Sequence, residues 1–435
     1  MKKIYLMSAM LCIVAIAANS QTIISLRKGV ADPTFRINWG QFFDISKNLN
    51  RLEVYYQVFN SDLLFIRNGD SFRADYTLSA SVYDNDNAPI ANQSRNKEIV
   101  TKQYLKTLSL ADFRTGQFNF DLPPGKYKID CHLVDNNSRK TMKESLEATL
   151  INYDNRNPQI SGIEFVYAAD TILYDSAFFK NGLTIIPNVG RLYGEDSSSS
   201  LNYYFEVYQG KLESDDIQIE TKILDQKLNT VYNDTLSAEF EDSFLAQYRK
   251  TALRNLKQGE YTLEIILKGR RGRPVDEIRE TFYIFWSPEA MVLNDPKTAV
   301  QQLKYVAASN EMKEIEKCEN SRERLILWQK FWDQRDPTPG TIENEAKIGY
   351  YRRIEHANRR FTVMRREGWK TDRGMIYIMY GEPDQIEDYP FELNRRAYQV
   401  WHYYNADNKV REFLFIDEWG NNDFILQYPY DGVQY

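Results

Sequence analysis

The sequence has 435 residues, with 55 basic against 61 acidic side chains, a formal net charge of −6 and a mean hydropathy of −0.57. A chain of this length can bury cores in roughly two to four domains, and its acidic balance excludes the concentrated positive charge that nucleic-acid binding requires. Aromatic residues make up 14% of the chain, with 30 tyrosines but only 3 histidines, which leaves little material for a histidine metal site.

Met1-Lys2-Lys3 precedes an apolar run from Leu6 to Ala18, and Ala18 and Ser20 stand at the −3 and −1 positions of a cut before Gln21. Residues 1–20 therefore read as a cleaved signal peptide, whose run is short for a bilayer anchor. Leu11 stands before Cys12 where a lipoprotein would carry a small residue. The expected location is outside the cytoplasm, in the periplasm or at the cell surface. No later run is long enough to cross a membrane, so no transmembrane span is expected after cleavage. Cys131 shares the period-two face of Tyr127, Ile129 and Leu133, which makes it a core residue and not part of a disulfide framework with Cys318.

Residues 21–152 show short β-type runs separated by Asn, Asp, Gly and Pro clusters, the pattern of a first β-sandwich. Leu52–Phe59 is one such run, Asp84-Asn85-Asp86-Asn87 is a turn, and Leu122-Pro123-Pro124-Gly125-Lys126-Tyr127 resembles the tyrosine corner of immunoglobulin-like sandwiches. Both signals return: Leu201–Tyr208 aligns with Leu52–Phe59 at an offset of 149, and Leu256–Leu263 with Leu122–Ile129 at an offset of 134. Loops can absorb the difference. The spacing predicts a second sandwich of similar build over residues 153–288, entered through an Asn152–Pro158 linker. Lys268-Gly269-Arg270-Arg271-Gly272-Arg273 lies between two strand patterns and reads as a hairpin turn.

Over residues 289–435 the apolar period changes from 2 to 3.6. Asp295 can cap a helix beginning at Pro296. A further helix at 321–334 carries Leu325, Trp328, Phe331 and Trp332, and another carries the stripe Ala346, Tyr350, Ile354, Ala357, Phe361 and Met364. Arg352, Arg353, Arg359, Arg360, Arg365 and Arg366 lie largely off that stripe, and Glu387, Asp388 and Glu392 are expected to neutralise them. Gly368 is expected to terminate the helix, Gly374 and Gly381 to occupy positive-φ turn positions, and Met375–Tyr380 to form a strand covered on both faces. With runs at 398–404, 412–416 and 424–428 it would make an antiparallel sheet, giving a C-terminal α+β domain behind the sandwiches.

The stretch Gly368-Trp369-Lys370-Thr371-Asp372-Arg373-Gly374, with its following apolar run and Gly381-Glu382-Pro383-Asp384, resembles the GWxTD domain. The likeness reaches upstream to Arg335-Asp336-Pro337 and the Tyr350–Ile354 helix, roughly the last third of the chain. The resemblance implies an exported bacterial protein with β-rich modules ahead of this domain, and no general activity.

No His-Glu-x-x-His helix, Gly-x-Ser-x-Gly elbow, P-loop or dinucleotide glycine fingerprint occurs, so neither a metal nor a cofactor is expected. The acids Asp372, Glu382 and Asp384 admit two readings: turn builders that accept backbone N–H bonds, or a general acid and base acting on polysaccharide. Trp369 can anchor the turn or stack on a sugar in an open groove, and Arg373 can form a structural salt bridge or bind an anion. The favoured expectation is a non-enzymatic envelope protein that binds a protein or glycan partner. A polysaccharide hydrolase or glycan-binding module is the alternative.

Overall fold

The computed structural model describes residues 35–427 apart from 108–111, 154–156, 174–175, 195–199, 211–215, 241, 270–271, 340–343, 365, 391–395 and 407–408. The signal-peptide reading of residues 1–20 and the expectations for Arg365 and Glu392 lie outside the described residues. The chain divides into two units that meet in sequence between Trp286 and Ser287.

The first unit holds two immunoglobulin-like β-sandwiches. In the first, β1 (Arg36–Asp44), β2 (Leu49–Phe59) and β5 (Phe113–Leu122) form one antiparallel sheet. Facing it are β3 (Ser71–Tyr83), β4 (Pro89–Thr101), β6 (Gly125–Asp135) and β7 (Thr141–Leu150), ordered β4-β3-β6-β7. Period-two alternation turns Val54, Tyr56 and Val58 of one sheet and Leu78, Ala80, Ile129, Cys131 and Leu133 of the other into a shared core.

The second sandwich repeats this wiring. Its first sheet carries β8 (Glu164–Asp170), β9 (Ser200–Tyr208) and β12 (Phe244–Ala252). Its second is ordered β11-β10-β13-β14, with β10 (Asp216–Leu224), β11 (Thr230–Glu239), β13 (Gly259–Lys268) and β14 (Pro274–Ile284). The internal repeat is visible at atomic detail. Tyr127 Oη donates to Pro123 O at 2.8 Å, and Tyr261 Oη donates to Lys257 O at 2.8 Å, each four residues upstream. Between β13 and β14, Gly269 N–H bonds Arg273 O at 2.9 Å and Gly272 adopts φ 69°, which closes the basic segment as a hairpin turn.

The second unit begins with short capped helices. Ser287 and Asp295 cap α1 (Pro288–Asn294) and α2 (Pro296–Gln302), each with proline at the first helical position. After α3 (Ser309–Lys317) comes α4 (Ser321–Asp333), which buries Trp328, Phe331 and Trp332. Tyr350, Tyr351, Ile354 and Ala357 are buried along α5 (Glu345–Phe361). This helix ends at Phe361 and not at Gly368. Val363 and Arg366 pair across a tight turn, which leaves Met364 82% exposed and outside the stripe that the sequence suggested.

The larger correction concerns Met375–Tyr380, which is helical. It belongs to α6 (Asp372–Tyr380), and the fourth strand of the sheet is instead β15 (Gln385–Tyr389). With β16 (Tyr398–Ala406), β17 (Lys409–Asp417) and β18 (Phe424–Leu426) it makes an antiparallel meander. The inner face of the meander presents Trp401, Tyr403, Phe413 and Phe415, all buried. Trp401 meets Phe361 of α5, and Tyr403 and Phe413 meet Tyr380 of α6, at ring separations of 5.4–5.7 Å.

Candidate functional site

The motif residues form a knot of backbone contacts between α5, α6 and the meander. Asn358 accepts from Trp369 N at 3.0 Å, and Thr362 Oγ1 accepts from Gly368 N at 2.9 Å, so the last turn of α5 grips the start of the motif. A Cβ on Gly368 would lie 1.8 Å from Ala357 O. Close approach, not a left-handed conformation, therefore requires glycine here. The same correction applies to Gly374, which is helical and whose added Cβ would fall 1.9 Å from Gly368 O. Only Gly381 has the expected positive φ, 85°, where it ends α6.

Thr371 is the N-cap of α6. Its hydroxyl accepts from Gly374 N at 3.1 Å and donates to Gly368 O at 2.7 Å. The Trp369 ring is buried to 1% exposure, its Nε1 donates to Glu367 at 2.8 Å, and its carbonyl accepts from Tyr305 Oη at 2.9 Å. The sugar-stacking reading of Trp369 fails on this burial, since no ring face is open to a ligand.

The salt-bridge reading of Arg373 is also corrected. Its guanidinium donates to Asn422 O at 2.8 Å and lies 4.2 Å from the Phe424 ring centroid and 5.2 Å from that of Phe361. Burial lowers its pKa to about 10 against the opposing fields of Asp417 and Asp423. Two of the arginines that the sequence placed off the apolar stripe, and expected acids to neutralise, bond backbone carbonyls instead. Arg353 Nη1 donates to Ile378 O at 3.1 Å near the C-terminus of α6, and Arg366 Nη2 donates to Lys370 O at 2.7 Å within the motif turn.

The acids do not converge. Asp372 Oδ2 accepts from Leu426 N at 2.9 Å, tying the start of α6 to β18, and Asp384 Oδ2 accepts from Tyr404 N at 2.7 Å, tying β15 to β16. Glu382 is exposed, just past the other end of α6, and Pro383 follows it into β15. Nine helical residues place Asp372 and Glu382 about 13 Å apart along the axis, beyond the spacing of a glycosidase pair. Asp417, the last residue of β17, accepts from Asn421 N at 3.1 Å and Asn422 N at 2.8 Å. Each motif acid with a partner is thus occupied by a backbone N–H, the role expected of turn builders.

Sequence reasoning missed a second feature, on the outer face of the meander. Tyr389 and Tyr398 stack there at 4.5 Å and 15°. Beside them lies an open hollow of about 480 Å³ lined by Arg396, Tyr398, Leu414, Ile416, Glu418 and Gln427. Trp419, on the turn after β17, is 78% exposed. The alternation of β17 carried the signal: Phe413, Phe415 and Asp417 point inward, so Leu414 and Ile416 must face outward.

Among the described residues no group of His, Cys, Asp and Glu has the arrangement of a metal site, and no helix is long and apolar enough to cross a membrane. Asp84 accepts from the backbone N–H of Asp86 and Ala88 at 2.9 and 2.8 Å, in the turn that the sequence suggested.

Residues 287–430 match the GWxTD domain family. No curated protein matches the sequence. Solved structures with partial similarity include a Bacteroides uniformis beta-glucuronidase 2, at 11% identity over 58% of this chain and 32% of that one, with a TM-score of 0.24. A glycosyl hydrolase family 2 member from Bacteroides cellulosilyticus is 11% identical over 53% of this chain and 28% of that one, with a TM-score of 0.21. The chain thus spans about a third or less of these enzymes, and scores this low carry no weight for its fold or activity.

Proposed function

We propose that this is a non-enzymatic protein of the bacterial cell envelope, exported by its N-terminal signal, with two sandwiches that support a partner-binding GWxTD domain. The observation that carries the reading is the fate of the motif acids: Asp372 and Asp384 fix the corners of α6, β15 and β18 through backbone N–H bonds. A polar motif used to shape backbone needs no substrate to explain it.

The partner surface that fits this reading is the outer face of the meander with its hollow, and the exposed Trp419 follows directly in sequence on Glu418 of its lining. Large exposed aromatics beside polar groups are typical of interaction sites. The test is a photo-crosslinking residue in place of Trp419 in the otherwise intact exported protein, followed by recovery of adducts from living cells. A discrete adduct that disappears when the crosslinker is moved to Lys250 on β12 supports the proposal. Equal, diffuse labelling from both positions overturns it.

A glycan is the second reading of that same surface. It is favoured by the combination of the Tyr398 ring with Arg396, Glu418 and Gln427, which could meet the CH face and the hydroxyls of a sugar. Retardation in polysaccharide-containing gels that Trp419→Ala abolishes supports the glycan, and unretarded migration excludes it.

A further inference from the structure

A cluster of buried charge joins the two sandwiches within the first unit. Lys180, on a short edge strand (Phe179–Lys180) of the second sandwich's first sheet, places Nζ 2.6 Å from Glu53 Oε2 of β2 and 2.7 Å from Glu164 Oε2 of β8. All three side chains are under 10% exposed. The ammonium also lies 4.3 Å from the Phe42 ring centroid of β1 and 5.5 Å from that of Tyr204 on β9. Phe42 itself packs with Val166, Ile185 and Tyr204 of the second sandwich. Backbone contact is close at the same joint, where Gly162 N–H bonds Gln41 O at 2.6 Å and an added Cβ would lie 2.8 Å from Gln41 N.

The two carboxylates on Lys180 are not equivalent. Glu53 receives the ammonium, Tyr55 Oη at 2.8 Å and Arg51 Nε at 2.9 Å, so both of its oxygens have donors. Glu164 receives Lys180 on Oε2, and its buried Oε1 has no hydrogen-bond partner among the described residues. From β9, Glu206 faces the cluster, held by Tyr204 Oη and Tyr208 Oη, each at 2.6 Å, and by Asn181 Nδ2 at 2.9 Å. Three carboxylates, Glu53, Glu164 and Glu206, therefore meet two cations, Lys180 and Arg51. One bound proton makes the set neutral, and the acid with a bare oxygen is the one to hold it.

We propose that Glu164 is the protonation site of a lock between the two sandwiches, which tightens when the proton is bound and loosens when it leaves. Burial is the first cause that drives the Glu164 pKa upward, to about 7, against the pull of Lys180 and with the repulsion of Glu53. Glu53 moves the other way, because Lys180 and Arg51 outweigh its burial. For an acid whose folded pKa is raised, the stabilisation is fully present below the unfolded value near 4.5 and is lost as pH rises through about 7. Glu53 contributes in the opposite sense, and its stabilisation is lost as pH falls below the ordinary carboxylate range.

The test is thermal unfolding of the full-length exported protein and of Glu164→Gln, followed by far-UV circular dichroism from pH 5 to pH 8. The glutamine copies the protonated acid. Taking the difference between the two proteins at each pH removes the contributions that they share. The wild-type melting temperature is expected to fall relative to the variant by about 2–4 °C or more across this range, with the variant the more stable at pH 8. A difference that is constant with pH, or one that grows in favour of the wild type as pH rises, overturns the assignment. A double-mutant cycle of Glu53→Gln and Lys180→Met then tests the joint, since the two residues belong to different sandwiches. Non-additive shifts support a lock between them, and additive shifts overturn it.

Discussion

Two helical glycines in the C-terminal unit should respond to alanine with opposite signs. Gly374→Ala would normally stabilise a helix by about 1 kcal/mol, but here the new Cβ lies 1.9 Å from Gly368 O. Cβ atoms essentially never approach other atoms within 3.0 Å, so the backbone at Gly368 must give way by about 1 Å. That carbonyl is itself fixed by the Thr371 hydroxyl at 2.7 Å, and Gly368 sits so close to α5 that an added Cβ would lie 1.8 Å from Ala357 O. Displacement therefore spreads from α6 into α5, and overpacking of this kind costs about 3 kcal/mol or more once the lost propensity gain is included. Gly349, in the interior of α5, has nothing within 4 Å of its added Cβ, so Gly349→Ala should stabilise by about 0.5–1 kcal/mol. Urea unfolding of the full chain, followed by tryptophan fluorescence, reads this unit, because five of the seven tryptophans (Trp328, Trp332, Trp369, Trp401 and Trp419) lie in it. A Gly374→Ala protein as stable as its parent would refute the close-approach argument and return Gly374 to an ordinary turn position.

Thr371→Ala should cost about 1–2 kcal/mol by removing the N-cap of α6, with Thr371→Ser restoring most of it in the same urea titration. The separate amide variants Asp372→Asn and Asp384→Asn should lower the melting temperature slightly, and Glu382→Gln should leave it unchanged. Loss of a polysaccharide-cleaving activity in all three at constant stability, measured by reducing-sugar release, would instead make them catalytic. Tyr127→Phe and Tyr261→Phe should each cost about 0.5–1.5 kcal/mol, by the same amount in both sandwiches if the two corners are equivalent, as calorimetry of the full chain can check.

The repeat of the sandwiches was legible because it rests on local chemistry that recurs unchanged: an aromatic strand at 52–59 and again at 201–208, and a Gly-x-Tyr corner at the start of β6 and of β13. The strand assigned to Met375–Tyr380 failed for a physical reason. Ile376, Tyr377 and Ile378 are consecutive and all buried, so α6 has no polar face from which a 3.6-residue period could be read. The end signals were nevertheless present, with Thr371 and Asp372 at the start and Gly381 at the finish. Gly374 disguised them, because a glycine required by a neighbouring carbonyl cannot be told in sequence from one required by a turn. The charge cluster at Lys180 was invisible for another reason. Glu53 lies more than a hundred residues from Glu164 and Lys180, and each of the three sits in a segment whose other side chains suffice to explain it. Only the docking of β1 and β2 against the sheet of β8 and β9 brings them together. Burial then turns three ordinary surface residue types into a coupled set, with consequences for stability that pattern reading cannot supply.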